Sequence, residues 1–442
     1  MSRPAAGAAP DRRALLADLV RQLERTQWLA PAEIAARQGK LLRQLVAHAE
    51  AYSAPFAARL RAAGLCADDL ADIAALPRLP LLTRRDLQAA GDALFCTHLP
   101  LTHQPVRRNQ TSGSTGEPVV IRTTALSRLL WEATTLRDHA WHRRDFSERL
   151  SVVRATQPEY REQDDWGPPA NLLHATGRCQ VIPITTDIAQ LLRLLEAFRP
   201  QALIIYPNVL MGLLDACRRR DRMLEGLTHI RTVGETLTDE LRAAATAAFG
   251  APVEDLYSSH EFGNIALQCP DGDGYHVMAE YLMVEIVDAE GRPCAPGEIG
   301  RLVISDLMNY ATPLLRYEIG DYAEAAGPCR CGRTLPTLRR IVGRARNLIR
   351  LPDGRRHYPL VGFARFREVA PVVQYQMIQD AADAIEVRLV CERPPTADEE
   401  AALGAVIRQA LAHDFRLRYR YFADRIAPGP NGKFEEFICR VG

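Results

Sequence analysis

The feature that most constrains the fold is an alternation of apolar runs and amphipathic stretches in the middle of the chain. Short apolar runs at residues 201–206, 229–233 and 253–257 predict buried strands, and residues 208–220 and 238–249 have helical periodicity. The order strand, helix, strand, helix, strand is typical of a largely parallel sheet that is covered by helices. The sequence therefore predicts an α/β fold here.

The regions on either side of this segment have different patterns. Residues 1–100 predict a mainly helical lead-in, and a β-rich pattern follows residue 275. The last hundred residues combine predicted strands with an amphipathic helix at residues 397–413. We therefore predict a multidomain α/β protein, with a large N-terminal domain over residues 1–343 and a small, mobile C-terminal α+β domain over residues 344–442.

Composition narrows the classes of function. The 442 residues are 47% hydrophobic, and 55 basic residues against 54 acidic ones give a net charge of +1. These values argue against a disordered chain, and the lack of a basic excess argues against a nucleic-acid partner. The sequence has neither a secretory signal nor an apolar run of about 18 residues, so we expect a cytoplasmic protein without a membrane partner.

Lysine is rare in this chain. Lys40 and Lys433 are the two lysines among the 55 basic residues, and all the others are arginine. Lys40 lies in a predicted polar face of a helix, so we expect it to be an exposed surface residue. Lys433 lies in a Pro-Asn-Gly-Lys loop, and a compact ammonium group on a flexible stem fits between two anionic oxygens better than a guanidinium does. Lys433 is therefore a candidate catalytic residue, the alternative being a solvated side chain.

Two segments have side chains suited to a nucleotide. Residues 110–118 alternate hydroxyl side chains with glycines, a pattern that wraps phosphate oxygens, although a flexible surface linker has the same composition. Residues 257–263 follow a predicted strand, and ligands usually bind at such strand ends. Glu261 is suited to hold Mg²⁺ there and Tyr257 to stack on a base, the alternative being an ordinary turn.

Residues 313–321, 342–344 and 430–433 complete an ordered set with these two segments. In this order the segments resemble the adenylate-forming superfamily of acyl-CoA synthetases, luciferases and peptide-synthetase adenylation domains. The phenylacetate–CoA ligase group is the most similar, because residues 79–87, the loop Thr-Ser-Gly-Ser-Thr-Gly and a Cys-x-Cys-Gly-Arg run are shared. The resemblance extends from about residue 40 to the end.

The resemblance implies a two-step ligase. A carboxylic acid and ATP would give acyl-AMP and pyrophosphate, with Mg²⁺ as cofactor, and the thiol of CoA would then take the acyl group. The residues implied to bind ATP and AMP are Thr111, Ser112, Gly113, Ser114, Thr115, Gly116, Gly234, Glu235, Tyr257, Ser258, Asp321 and Arg344. The implied catalytic residues are Lys433, Glu261 and His260, with Glu261 also placing the magnesium ion.

The sequence departs from the family pattern at three positions. His260 replaces a threonine that normally touches phosphate, and it brings an imidazole towards the acyl carboxylate. Arg346 replaces a hinge residue that is often acidic. Val119 stands where many relatives carry lysine, so the charge that faces the phosphates has to come from elsewhere.

Cysteine and histidine residues predict a second kind of site. Cys269, His276, Cys329 and Cys331 lie in two turn-rich segments, and three thiols with one imidazole form a ligand set of structural zinc. The Cys-x-Cys spacing is tighter than the common Cys-x₂-Cys, and buried or unliganded thiols are the alternative. We predict a structural Zn²⁺ that fixes the β-rich part of the large domain.

Two other functions stay open at this point. An acyl-AMP-forming enzyme of the same fold would pass the acyl group to a carrier-protein phosphopantetheine or to an amine. A non-catalytic nucleotide-binding relative would bind ATP without turnover. The sequence does not predict which acid is used, although the family favours an aryl or arylacetic acid, and a homodimer remains open.

Overall fold

The computed structural model describes residues 11–110, 119–272, 274–344, 349–353, 356–357, 363–411, 413–423, 425–427 and 434–441. The helices are α1 (Arg12–Thr26), α2 (Pro31–Tyr52), α3 (Ala54–Ala62), α4 (Arg84–Ala90), α5 (Ala125–Trp141), α6 (Ala170–Leu173), α7 (Ile188–Phe198), α8 (Pro207–Arg219), α9 (Asp239–Phe249), α10 (Phe363–Val369) and α11 (Ala397–Leu411). The strands are β1 (Arg107–Gln110), β2 (Val120–Thr123), β3 (Leu150–Arg154), β4 (Arg161–Gln163), β5 (Cys179–Pro183), β6 (Ala202–Ile205), β7 (His229–Val233), β8 (Val253–Ser259), β9 (Gly263–Gln268), β10 (Tyr275–Val277), β11 (Leu282–Val287), β12 (Ile299–Asp306), β13 (Tyr317–Ala325), β14 (Thr337–Arg344), β15 (Ile349–Arg350), β16 (Arg356–His357), β17 (Val372–Ala381), β18 (Ala384–Cys391), β19 (Arg416–Phe422) and β20 (Phe437–Cys439).

The predicted α/β class is confirmed by the larger sheet. In the described part of the chain it has 12 strands in the order β11-β12-β13-β14-β10-β9-β8-β7-β6-β3-β5-β4. Five neighbouring strands run parallel, in the order β5-β3-β6-β7-β8. The strands on either side of this block pair with it antiparallel. The sheet therefore joins a parallel α/β part to the β-rich part that the sequence predicts.

Both faces of the parallel block are covered, as its continuous apolar strands require. Leu203 and Ile205 of β6 point into a core with side chains from helices α7, α8 and α9. Ala202 and Ile204 of the same strand point the other way, into a smaller core with Trp166. Alternate residues thus bury opposite faces, because side chains of a strand have a period of two.

The C-terminal part has a sheet and core of its own. Strands β17 to β20 form a four-stranded sheet in the order β19-β18-β17-β20. Its core includes Ile349 as well as Phe366 of α10 and Ile407 of α11. Strand β14 of the larger sheet ends at Arg344. The domain boundary at 343/344 stays a prediction. Among the helices described, none is both long and apolar enough to cross a bilayer.

A polar turn anchors the β1–β2 hairpin to the larger sheet. Asn309 donates to the Arg122 carbonyl at 2.9 Å, and the Thr312 hydroxyl donates to the same carbonyl at 3.0 Å. Asp306 holds this turn, because one of its carboxylate oxygens accepts from the backbone N–H groups of Met308 and Asn309 at 2.8 and 3.1 Å. The anchor matters because the hairpin flanks the segment whose hydroxyls and glycines predict a phosphate loop.

Asp306 should make stability depend on pH. Burial raises the pKa of Asp306 to about 6. The folded state therefore holds this proton more tightly than the unfolded state, so the contribution of Asp306 to the free energy of unfolding should fall as pH rises from about 4 to 6. We expect Asp306→Asn to remove about 2 kcal/mol of this fall between pH 4 and pH 7. Urea unfolding of both proteins at several pH values measures the difference, and parallel pH profiles would contradict it.

Candidate active site

The candidate site lies at the carboxyl edge of the parallel strands. Strands β6, β7 and β8 are parallel neighbours, so the residues that follow them meet at one edge of the sheet. These residues are Tyr206, Gly234 with Glu235, and the turn after Ser259. Such an edge is where α/β proteins usually bind ligands, and it collects polar side chains that the sequence holds far apart.

Three predicted residues form one hydrogen-bonded network at this edge of the sheet. The Tyr257 hydroxyl donates to one Asp321 carboxylate oxygen at 2.6 Å, and Arg344 Nε lies 2.8 Å from the other. Asp321 and Arg344 are direct partners across strands β13 and β14. Burial and the Asp321 carboxylate raise the pKa of Tyr257 well above its usual value, so the phenol stays protonated and donates. The Asp321 carboxylate in turn raises the pKa of Arg344.

Glu261 places a buried carboxylate beside this network. It is 8% exposed, and its charge acts on Tyr257, Tyr317 and Arg344. Burial raises the pKa of Tyr317 above its usual range, and the Glu261 carboxylate raises it further. A buried carboxylate oxygen fits the ligand preference of Mg²⁺, so the predicted role of Glu261 is chemically consistent with its position.

Arg84 and Tyr317 belong to the same site, although the sequence analysis did not select them. Arg84 is the first residue of α4, and its side chain is hydrogen-bonded to the Tyr317 hydroxyl. The predicted capped start of α4 is present, since the Thr83 side chain accepts from the Asp86 backbone N–H at 3.3 Å. That cap was a signal for the helix start, but nothing local indicated that Arg84 faces Tyr317.

The turn between β8 and β9 carries the remaining predicted residues. Ser258 is half-buried, and His260 is exposed at the turn. Gly263 closes the turn with a φ of +68°, and a Cβ on it would lie 3.3 Å from Trp131 Cδ1. Glycine therefore fits here for two reasons, a left-handed backbone and the indole beside it. The catalytic role of His260 stays a prediction.

Glu235 has partners on two different parts of the chain. Its carboxylate accepts from the Asn208 backbone N–H at 3.0 Å, in the first turn of α8. It also accepts from the Phe434 backbone N–H at 3.3 Å. Gly234 precedes it with a φ of +78°, a conformation that favours glycine. The predicted contact of both residues with adenine stays a prediction.

Several predicted residues lie outside the described part of the chain. They are Thr111, Ser112, Gly113, Ser114, Thr115, Gly116, Arg346 and Lys433. Two described neighbours bear on them. Val119 is buried at 2% exposure in the main apolar core, a position that suits an uncharged side chain. Phe434, the residue after Lys433, contacts Glu235 at the candidate site.

The predicted metal ligands come together on the far part of the sheet. One ligand atom from each of Cys269, His276, Cys329 and Cys331 lies within 4.8 Å of all the others. Strand β10 lies between β9 and β14, so the β9–β10 turn meets the β13–β14 connection. The Cys269 and Cys329 sulfurs are 3.7 Å apart, close to the edge of about 3.8 Å expected for a tetrahedron with Zn–S bonds of about 2.3 Å.

The surroundings of this cluster fit a metal ion. A Cβ on Gly272 would lie 2.8 Å from the Cys329 sulfur, so the close approach requires glycine. His276 Nδ1 lies 3.3 Å from the Leu335 carbonyl, which can only accept, and this orients the lone pair of Nε2 towards Cys331 at 3.2 Å. Burial raises the pKa of Cys269 to about 12, so its thiolate needs a cation beside it.

Comparisons with known proteins agree with this geometry. Residues 102–309 match the family model described as AMP-binding enzyme. A phenylacetate–coenzyme A ligase of Thermus thermophilus is 24% identical over 82% of this chain and 82% of its own. One of Escherichia coli is 25% identical over 72% of each. The fold matches the solved structure of a 2-hydroxyisobutyryl-CoA ligase with a TM-score of 0.73 and 18% identity, over 94% of this chain and 91% of that one.

Proposed function

We propose that this chain activates a carboxylic acid with ATP and transfers the acyl group to CoA. The support is the match of residues 102–309 to the AMP-binding enzyme family model and the similarity to phenylacetate–CoA ligases. In the first step a carboxylate oxygen attacks the α-phosphorus, and the bond to pyrophosphate breaks. In the second step the CoA thiol loses its proton, its sulfur attacks the acyl carbon, and AMP leaves. The observation that carries this proposal is the hydrogen-bonded network of Tyr257, Asp321 and Arg344, which lies beside Glu261 at the carboxyl edge of the parallel strands.

The residues at the carboxyl edge of the sheet would have different roles in the formation of acyl-AMP. Asp321 is a buried acceptor that two donors hold in one orientation, which suits it to bind the ribose hydroxyls. Arg344 and Arg84 are the cations that would lie beside the phosphates. Arg84 would supply part of the positive charge that the uncharged side chain of Val119 does not provide. Glu261 would hold Mg²⁺, which neutralises phosphate charge when it is bound. Catalysis of this kind is mostly alignment and charge neutralisation.

The experiment that tests the function is acid-dependent exchange of pyrophosphate into ATP. Over a panel of aryl, arylacetic, short aliphatic and hydroxy acids, we expect exchange with at least one acid, and release of AMP with an acyl-CoA mass when CoA is added. Exchange without an acyl-CoA product would instead support the carrier-protein or amine acceptor. ATP binding without exchange for any acid would support a non-catalytic relative.

Tyr257→Phe should weaken the binding of ATP without changing the binding of the carboxylic acid. The variant loses the hydrogen bond that orients Asp321, and a hydrogen bond to a charged group contributes about 1.5 to 3 kcal/mol. We expect the KM for ATP to rise about tenfold or more and the KM for the acid to stay within about twofold. Tyr275→Phe is the matched control, because it removes the same kind of bond, at 2.7 Å to Asp255, away from the edge. Equal effects in both variants would contradict the role of Tyr257.

We propose further that Cys269, His276, Cys329 and Cys331 hold one structural zinc ion. The support is the ligand set, the tetrahedral spacing and the close approach at Gly272. The cluster lies away from the nucleotide residues and next to the N-terminal helices, where Arg333 donates to Gln27 at 3.0 Å and Thr334 to the Gln27 carbonyl at 3.1 Å. The ion would therefore stabilise the fold and take no part in the reaction.

A further inference from the structure

Six polar-contact residues between the C-terminal part and the larger part are here called the docking face. On the larger part it consists of Asp215, Glu235 and Glu240, and on the C-terminal part of Arg367, Phe434 and Glu436. Arg367 on α10 lies 3.4 Å from the Asp215 carboxylate on α8. The Phe434 backbone N–H donates to Glu235 at 3.3 Å. These two contacts join the C-terminal part to the larger part in this arrangement.

Arg367 is the largest of three cations that stabilise the Asp215 carboxylate. Asp215 is 6% exposed, and burial raises its pKa, while Arg367 and, to a smaller extent, Arg219 and Arg218 on α8 oppose the rise. A buried carboxylate that loses its cation is destabilised strongly, because its desolvation is no longer offset. Movement of α10 away from α8 would therefore require that Asp215 be solvated or protonated.

The two contacts reach separate points of the larger part. The ion pair reaches Asp215 on α8, and the Phe434 hydrogen bond reaches Glu235, which also accepts from the Asn208 backbone N–H in the first turn of α8. Asn208 and Asp215 are seven residues apart, about 10 Å along the helix axis, and two separated contacts restrain rotation of the C-terminal part more than one contact would. The ion pair is the one that lies away from the candidate nucleotide residues.

The docking face also includes two acidic side chains. Burial raises the pKa of Glu436, the Tyr375 hydroxyl that donates to it at 2.7 Å opposes the rise, and the Glu240 carboxylate on α9 adds to it. The charge of Glu240 therefore disfavours a charged Glu436 at this face, whereas Arg367 attracts Asp215.

We propose that Asp215 and Arg367 are positioning residues that hold the C-terminal part in the arrangement that forms acyl-AMP. The inference rests on the proposed function, in which Lys433 has to reach the candidate site. Phe434, which directly follows Lys433, already contacts Glu235 there. The ion pair would have to separate before the C-terminal part turns to admit CoA.

The experiment compares the two half-reactions in Asp215→Asn, Arg367→Gln and the double variant. We expect each single variant to lower pyrophosphate exchange about tenfold and the double variant to be no worse, because the two side chains act as one contact. Thioester formation from supplied acyl-AMP and CoA should stay within about twofold or rise. Arg365→Gln, an exposed residue on the same helix, is the matched control and should leave both half-reactions unchanged.

The outcomes separate this inference from the function on which it rests. Equal losses in both half-reactions, multiplied losses in the double variant, or exchange that both single variants leave unchanged would overturn the inference alone. A lack of exchange in the unsubstituted protein would overturn the proposed function and the inference with it. A thermal melt of each variant within about 3 °C of the unsubstituted protein shows that the fold is retained.

Discussion

Lys433→Ala should lower acyl-AMP formation about 10²- to 10³-fold, the cost of removing one group that stabilises developing charge. In the proposed mechanism the Lys433 ammonium lies between the acid carboxylate and the α-phosphate, both of which are anionic, and this variant lacks it. Thioester formation from supplied acyl-AMP should be retained, because that step does not need the charge at this position. The measurement is pyrophosphate exchange beside thioester formation with the same protein.

Two further variants make the Lys433 result specific. Lys40→Ala removes the other lysine of the chain, which is exposed on α2, and should leave both half-reactions unchanged. Lys433→Arg keeps the charge but replaces a compact ammonium with a wider, planar group, and should restore little of the activity. Normal exchange in Lys433→Ala would show that this role is wrong, and full activity in Lys433→Arg would show that charge alone is required.

Loss of the metal ligands should be the most destabilising change in the β-rich part of the larger sheet. The purified protein should carry about one equivalent of zinc, and Cys329→Ser should carry almost none. We expect the free energy of unfolding to fall by about 4 kcal/mol and the Tm by roughly 5 °C, because the buried ligands lose the cation that pairs with them. Metal analysis and thermal unfolding measure the two effects.

The control for this substitution is Cys66→Ser, which makes the same chemical change at an exposed cysteine outside the cluster. It should keep the zinc and the melting temperature. A chelator should lower the Tm of the unsubstituted protein towards that of Cys329→Ser and leave Cys329→Ser itself unchanged. Fewer than about 0.2 equivalents of zinc in protein purified without added metal would contradict the site, since structural zinc is held tightly.

Local pattern was sufficient for the elements that build the parallel block. The apolar run at residues 229–233 coincides with β7, and the predicted helix at 238–249 differs from α9 by one residue. Such runs report burial on both faces, and a cap such as Thr238, which accepts from Leu241 at 3.2 Å, marks a helix start. Both signals lie within a few residues, so they need no knowledge of distant neighbours.

The candidate site was predictable as a set of residues and unpredictable as a set of contacts. Tyr257, Asp321 and Arg344 were each selected from a motif, yet nothing in those motifs places both Tyr257 and Arg344 on the Asp321 carboxylate. Arg84 and Tyr317 were missed for the same reason. Their contact joins residues more than 200 positions apart, and a loop closure of that length leaves no local trace in the sequence.

The sequence by itself determined the α/β class, the ordered motifs that resemble those of adenylate-forming enzymes, and the four cysteine and histidine positions of one cluster. The tertiary structure decided which of these residues meet. Strand β10 lies between β9 and β14, and this order brings Cys269 to Cys329. Docking of α10 on α8 likewise brings Arg367 to Asp215. The physical reason is that pattern and propensity act over a few residues, whereas strand order and domain docking follow from burial and charge pairing across the whole chain.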